Sequence, residues 1–203
     1  MINSNAILNM AKDNNGIITN NMVVSKGYSR GSLKYLSDKG YLEKVSRGVY
    51  ILPNEFEDEF INIQNRFKKG IFSLETALFL CELTDLTPSK YSMTFPSTYN
   101  LSKPKEIGIL CNSSKEEFYN LGITNLITPY GNYVKSYGAE KTLCDILKTK
   151  NHIDIQVIVN SFKIYVKQKN KNIPLLSKYA KILNVENKIR TYLEILLWKI
   201  RIN

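Results

Sequence analysis

The stretch YSRGSLKYLSDKGYLEKVSRGVYIL, Tyr28–Leu52, reads as a helix, a tight turn and a two-stranded ribbon with an arginine at its tip. Ser29 stands where an N-cap belongs, and Gly40 stands where a left-handed residue closes a helix. Projected at ~100° per residue, Leu33 and Leu36 point one way. Gly31, Lys34, Tyr35 and Asp38 point the other, with Arg30 on the flank at the N-terminal end. A surface helix usually opposes its core with long charged side chains, but this one offers a glycine, a lysine and a tyrosine. Gly31 costs helix stability yet lets another backbone approach closely. That combination suits the start of a recognition helix in a DNA major groove. Taken alone, it suits a plain amphipathic helix equally well.

The flanks decide between those readings. YLEKV and GVYIL alternate with the period of strands and join through Ser46-Arg47-Gly48, where Gly48 supplies the left-handed residue of a short hairpin. Upstream, Ile7, Leu8 and Ala11 form the apolar face of a first helix, broken by Asp13-Asn14-Asn15-Gly16. Thr19 caps a second, with Met22 and Val23 inward, and Lys26-Gly27 ends it. Three helices and a hairpin make a winged helix-turn-helix. Arg47 at the wing tip, with Ser46 beside it and Lys44 on the arm, can reach a phosphate or a narrow minor groove. Lys26 and Lys39 flank the helix and can hold phosphates. The expected DNA-binding set is Lys26, Ser29, Arg30, Gly31, Lys34, Tyr35, Lys39, Lys44, Ser46 and Arg47. Winged helices also serve as protein–protein modules, and the charge of the chain favours DNA.

That charge is +10 over 203 residues, and it is uneven. Residues 1–53 hold seven Lys/Arg against three Asp/Glu, 54–150 hold eleven against twelve, and 151–203 hold ten against three. Both ends are therefore basic, which favours a polyanionic partner. Pro53-Asn54 ends the ribbon and precedes an acidic helix start, so the expected domains are 1–53 and 54–203. The expected fold class is α+β: a winged helix-turn-helix, then a mixed α/β domain with a small sheet and several helices. No signal peptide or membrane-length apolar run is present, and Cys81, Cys111 and Cys144 lack any CxxC spacing. Those features fit a cytoplasmic protein with three buried thiols and no membrane contact.

In the second part, Asn54 is expected to cap a helix carrying Phe56, Phe60, Ile63 and Phe67. Ser73 is expected to cap LETALFLCEL. KYSMTFP, EIGILCN and NLITPYGNYVKSY read as strands, the last turning at Tyr130-Gly131-Asn132. AEKTLCDILK reads as a helix with Ala139, Leu143, Ile146 and Leu147 inward and Asp145 opposite them. Three further helices follow. Asp154 caps one bearing Ile155, Ile158, Val159 and Phe162, and Pro174 starts another. The last bears Ile189, Leu193, Leu196, Leu197 and Ile200. Among their outward residues, Lys163, Lys167, Lys178 and Lys181 are either simply solvated or a second contact for an anion.

Nothing points to an enzyme. His152 is the lone histidine and has no nucleophile motif beside it, and no glycine loop cradles a phosphate. Glu140, Lys141 and Asp145 could imitate a metal nuclease, but helical spacing explains them by pairing. No catalytic residue, metal site or cofactor is expected.

LSDKGYLEKVSRGVYILP, FSLETALFLCELTDLTPSKYSMTFP and GAEKTLCDILK together resemble the AbiEi family of bacterial antitoxins, over roughly residue 5 to the C-terminus. Gly40, Leu42, Val45, Arg47, Gly48, Val49 and Tyr50 match its first motif. Leu83, Thr84, Asp85, Pro88 and Pro96 match its second, and Glu140, Lys141, Thr142, Leu143 and Asp145 its third. The resemblance implies a type IV antitoxin of an abortive-infection system active against phage. Such a protein represses its own promoter at inverted repeats upstream of its operon. It counteracts a nucleotidyltransferase-like toxin without a required stable complex. It also implies that Thr84, Asp85, Pro88, Glu140, Lys141 and Asp145 belong to the antitoxin motifs. Where relatives often carry His-Gly before Leu-Thr-Asp, this chain has Cys81-Glu82. The alternative is a transcriptional regulator whose C-terminal domain dimerises or senses a ligand.

Overall fold

A computed structural model describes residues 4–202. The fold is α+β. The chain divides into two compact units: residues up to Lys68 together with Ile127–Val134, and Lys69–Leu126 together with Lys135 onward.

The first unit runs α1 (Ser4–Lys12), β1 (Ile17–Thr19), α2 (Asn20–Ser25), α3 (Gly31–Asp38), β2 (Glu43–Ser46), β3 (Val49–Ile51) and α4 (Glu59–Arg66). Its three strands lie in the order β1-β3-β2, all antiparallel. Alternation along the strands splits the apolar residues between two faces. Ile18 and Tyr50 join Ile7, Ala11, Val23, Leu33, Leu36 and Leu42 in a core among the helices. Ile17, Val49 and Ile51 face the other way and pack with Val45 and with Ile61 of α4. Each fully buried leucine, isoleucine or valine among them contributes roughly 1.5–3 kcal/mol by leaving water. Thr19 caps α2 by accepting from the Met22 amide at 3.3 Å. At the end of α3, Gly40 adopts φ +78°; the Tyr41 amide donates to the Leu36 carbonyl and the Gly40 amide to that of Ser37. That pair of bonds is a Schellman ending and needs the left-handed residue.

The compact unit extends past Pro53-Asn54, because α4 covers the sheet's second face. Asn54 does not cap it. Asn54 is left-handed at φ +68°, and Phe56 is 80% exposed rather than on the inward stripe. The cap is Asp58, which is buried. Its Oδ1 accepts from the Phe60 and Ile61 amides, and its Oδ2 accepts from the Thr128 hydroxyl at 2.6 Å and the Asn132 side-chain amide at 2.9 Å. A buried carboxylate is tolerable only with its lone pairs satisfied, which explains why the loop Thr128–Asn132 belongs to this unit.

The second unit holds β4 (Ile71–Phe72), α5 (Leu74–Leu80), β5 (Ser92–Pro96), α6 (Ser102–Glu106), β6 (Leu110–Ser114), α7 (Glu116–Tyr119), β7 (Ile123–Ile127) and β8 (Tyr133–Tyr137). The ends of the hairpin β7–β8 that flank its loop fall in the first unit. Then come α8 (Ala139–Ile146), a short 3-10 turn at Thr149–Asn151, and helices α9 (Ile155–Lys167), α10 (Ile173–Ile182) and α11 (Glu186–Ile202). The sheet order is β6-β5-β4-β8-β7, with β6 parallel to β5 and β8 parallel to β4. Leu78, Leu143, Ile146, Phe162, Tyr165, Leu176 and Ile189 are among the residues of the core between the helices.

Four expectations change here. EIGILCN begins as the end of α6 and a turn, and its strand starts only at Leu110. Ser73 sits at the N-cap position of α5, but its hydroxyl makes no cap bond. Of the three cysteines Cys144 is a buried residue and Cys81 and Cys111 are half-buried ones, with the Cys81 thiol turned to the Tyr137 carbonyl at 3.5 Å. Asp145 does not lie on an exposed face, because every residue from Lys141 to Ile146 is buried. Asp154 does cap α9, accepting from the Gln156 amide. The stripe of α11 holds at Ile189 and Leu193, while the side chains of Leu196, Leu197 and Ile200 lie outside the described residues.

Candidate nucleic-acid interface

Helices α2 and α3 with the β2–β3 wing form the unit in question. Burying Leu33 and Leu36 turns Gly31, Lys34, Tyr35 and Asp38 outward, and all four are exposed. Tyr35 remains 44% exposed. The Ser29 hydroxyl accepts from the Gly31 amide at 3.2 Å, one residue before the N-cap position, which Arg30 occupies without a side-chain bond. A Cβ built on Gly31 would meet nothing closer than that hydroxyl, at 3.5 Å. Packing inside the protein therefore does not require a glycine there.

The wing turns through Arg47 and Gly48. Ser46 pairs with Val49, and Gly48 adopts φ +82°, the backbone that lets two residues reverse the chain. A Cβ on Gly48 would also come within 2.8 Å of the Asn20 side chain. Lys26, Lys39, Lys44 and Arg47 are exposed. Ser46 differs from them: it is half-buried, and its hydroxyl donates to Asn62 Oδ1 at 3.3 Å. Asn65 donates from Nδ2 to the Arg47 carbonyl at 3.1 Å. Two asparagines on one face of α4 thus hold the wing tip by its side chain and its backbone. Sequence reasoning missed both, because α4 reads there as the start of the next domain. The only local signal was their spacing of one helical turn.

The other sequence-derived residues lie in the second unit. Thr84, Asp85 and Pro88 occupy the loop after α5, where Thr84 Oγ1 accepts from the Leu86 amide at 3.2 Å. Glu140, Lys141 and Asp145 share α8. Glu140 Oε1 accepts from the Tyr165 hydroxyl at 2.9 Å and the Asn172 amide at 3.2 Å, tying α8 to the start of α10. Lys141 is 3% exposed; its Nζ donates to Asp145 Oδ2 and lies 4.4 Å from the centre of the Tyr137 ring. Lys148 donates to the other Asp145 oxygen at 2.8 Å. Burial pushes Lys141 below the ordinary lysine value, and Asp145 opposes that shift. Burial, with Glu140 and Glu82 adding to it, pushes the Cys81 thiol up to about 12. Among the described residues no group of three acidic, histidine or cysteine side chains could hold a metal ion. Lys163, Lys167, Lys178 and Lys181 are exposed, with Lys181 3.9 Å from Glu186.

No helix among the described residues is long and apolar enough to cross a membrane. No curated protein matches the chain. Residues 5–53 match the family described as "Transcriptional regulator, AbiEi antitoxin", which supports an antitoxin or regulator role. The matched segment spans α1 to β3, the helices and wing just described. Over residues 5–53 the chain is therefore similar to the AbiEi antitoxin family of transcriptional regulators.

Proposed function

We propose that this chain is the antitoxin of a type IV toxin–antitoxin system of abortive infection, and that it represses its own promoter. The observation that carries the reading is the exposed Gly31-Lys34-Tyr35 face of α3, with an arginine-tipped wing, inside the segment that matches the family. The start of α3 enters the major groove of operator DNA at inverted repeats upstream of its operon. Arg30, Gly31, Lys34 and Tyr35 meet base edges there, and Ser29 fixes the helix start. Arg47 reaches the minor groove or a phosphate, while Lys26, Lys39 and Lys44 hold phosphates. Ser46 supports the wing through Asn62. The antitoxic part is the remainder of the chain, with the segments around Thr84, Asp85 and Pro88 and around Glu140, Lys141 and Asp145. It opposes a nucleotidyltransferase-like toxin encoded next door without requiring a stable complex. Lys163, Lys167, Lys178 and Lys181 offer a second contact for an anion.

The test is growth of cells expressing the adjacent gene together with the full-length protein from an unrelated promoter. Rescue is expected. A toxic neighbour that the protein cannot rescue would contradict the antitoxin reading.

One observation favours the second reading, a regulator whose C-terminal part dimerises or senses a ligand. Glu140, Lys141 and Asp145 are all consumed by internal bonds, so their motif is explained by the scaffold alone. Repression of the operon without any rescue of growth would select that reading.

A further inference from the structure

Two cavities of the second unit share the residues His152 and Ile153. They differ in what their cations are doing. In the first, of about 480 Å3, Lys148 is bound to Asp145 and Lys188 donates to the Leu147 carbonyl at 2.8 Å. In the second, a groove of about 550 Å3, Lys90, Lys105 and Lys150 line the wall. All three are exposed, and among the described residues none has a carboxylate at ion-pair distance. Glu75 is the one acidic residue of the lining. Three lysines lining one concave surface against one glutamate leave it with an excess of positive charge, which an anion of more than one charge offsets. The rest of the lining is not what a bare inorganic anion needs. Leu74, Ile109 and Ile153 give it apolar walls, and Asn112 on the edge strand β6 adds an amide. The volume falls in the range of small-molecule sites, on the order of 300–1,000 Å3. The backbone is strained at two places on this groove: Leu74 at φ +50° and His152 at φ +49° both hold left-handed conformations that such side chains rarely adopt.

We propose that this groove binds a nucleoside phosphate, with Lys90, Lys105 and Lys150 meeting the phosphate oxygens and Leu74, Ile109 and Ile153 meeting the face of the base. Asn112 is placed to bond a base or ribose edge. The phosphate can belong to a free nucleotide or to the terminal nucleotide of a single-stranded RNA, since both present the same chemistry.

The test uses the full chain and a fluorescent ATP analogue. Unlabelled ATP, GTP, ribose 5-phosphate and a short 5′-phosphorylated RNA serve as competitors. The analogue is expected to bind, and Lys105→Glu with Lys150→Glu is expected to weaken it by roughly tenfold or more. The same double variant should keep the wild-type melting temperature and the wild-type affinity for promoter DNA, which separates this site from the winged helix. Stronger competition by the RNA than by ATP assigns the site to a strand end, and the reverse assigns it to free nucleotide. No binding by the wild type, or equal binding by the double variant, would overturn the proposal. Equal competition by ribose 5-phosphate and ATP would overturn the contact with the base.

Discussion

Gly31 separates a DNA-reading helix from an ordinary one at the scale of a single residue. The atom nearest the space a Cβ would fill is the Ser29 hydroxyl at an ordinary contact distance of 3.5 Å, so Gly31→Ala should leave the fold intact and raise its stability by a few tenths to about 1 kcal/mol. If the helix start lies against a base or a phosphate, the same methyl group obstructs it. The expected outcome is therefore a higher melting temperature with weaker operator binding, read by thermal denaturation and gel shift on the same preparation. Unchanged binding would return α3 to a plain amphipathic helix. The two faces of α3 were legible in the sequence, because Leu33 and Leu36 leave only one way to orient it. The state of Ser46 was not. It stands beside Arg47 in the chain and reads as a free donor, yet Asn62, sixteen residues on, half-buries and holds it.

The wing and its support belong to the scale of elements. The hairpin could be read from Gly48 and the alternation around it, whereas β1 could not. Three residues carry too little pattern to announce a strand, and Ile17–Thr19 becomes one by pairing with β3. The helix α4 was visible, but its start was misplaced, because Asp58 is chosen as cap by Thr128 and Asn132, some seventy residues away. With Asn65 bonded to the Arg47 carbonyl, Asn65→Ala should weaken operator binding by roughly threefold to tenfold, the value of one ordinary hydrogen bond. In the Arg47→Ala background that loss should vanish, since the asparagine acts only by placing the arginine. An equal loss in both backgrounds would make Asn65 a direct contact instead. Helix α8 makes the complementary point. Its glutamate, lysine and aspartate were legible as a motif, but their burial was not, because the face opposite the apolar stripe meets a second layer of protein. Asp145→Ala leaves Lys141 buried and unpaired, so a loss of about 3–5 kcal/mol is expected in chemical denaturation. A loss below about 1 kcal/mol would show that this pair is not what orders the helical layer.

At the scale of the whole molecule, folding keeps several thiols and phenols protonated beyond their ordinary range. Burial raises the Cys81 and Cys144 thiols from 9.0 to about 12 and moves Tyr137 and Tyr165 above the ordinary phenol value. Above pH 9 the unfolded chain gives up thiol protons that the folded chain keeps, so the folded state binds more protons and stability falls as pH rises. The melting temperature should therefore decline as pH rises from 9 to 11. A melting temperature that holds through this range would contradict the burial of these groups. Charge at the same scale was legible from composition, and the α+β class from the order of expected helices and strands. The division into units was less so. A chain that leaves the first unit at Lys68 and returns to it for Ile127–Val134 has no sequence marker, only the bonds of Asp58. The most direct measurement of the central claim is a salt titration of binding to the DNA upstream of the operon, comparing wild type with Arg47→Ala. The wild type should prefer that DNA over random sequence of equal length. Arg47→Ala should bind more weakly, with a salt slope smaller by about one. Equal affinity for both DNAs, or an unchanged affinity and slope in the variant, would contradict a winged helix that reads its own operator.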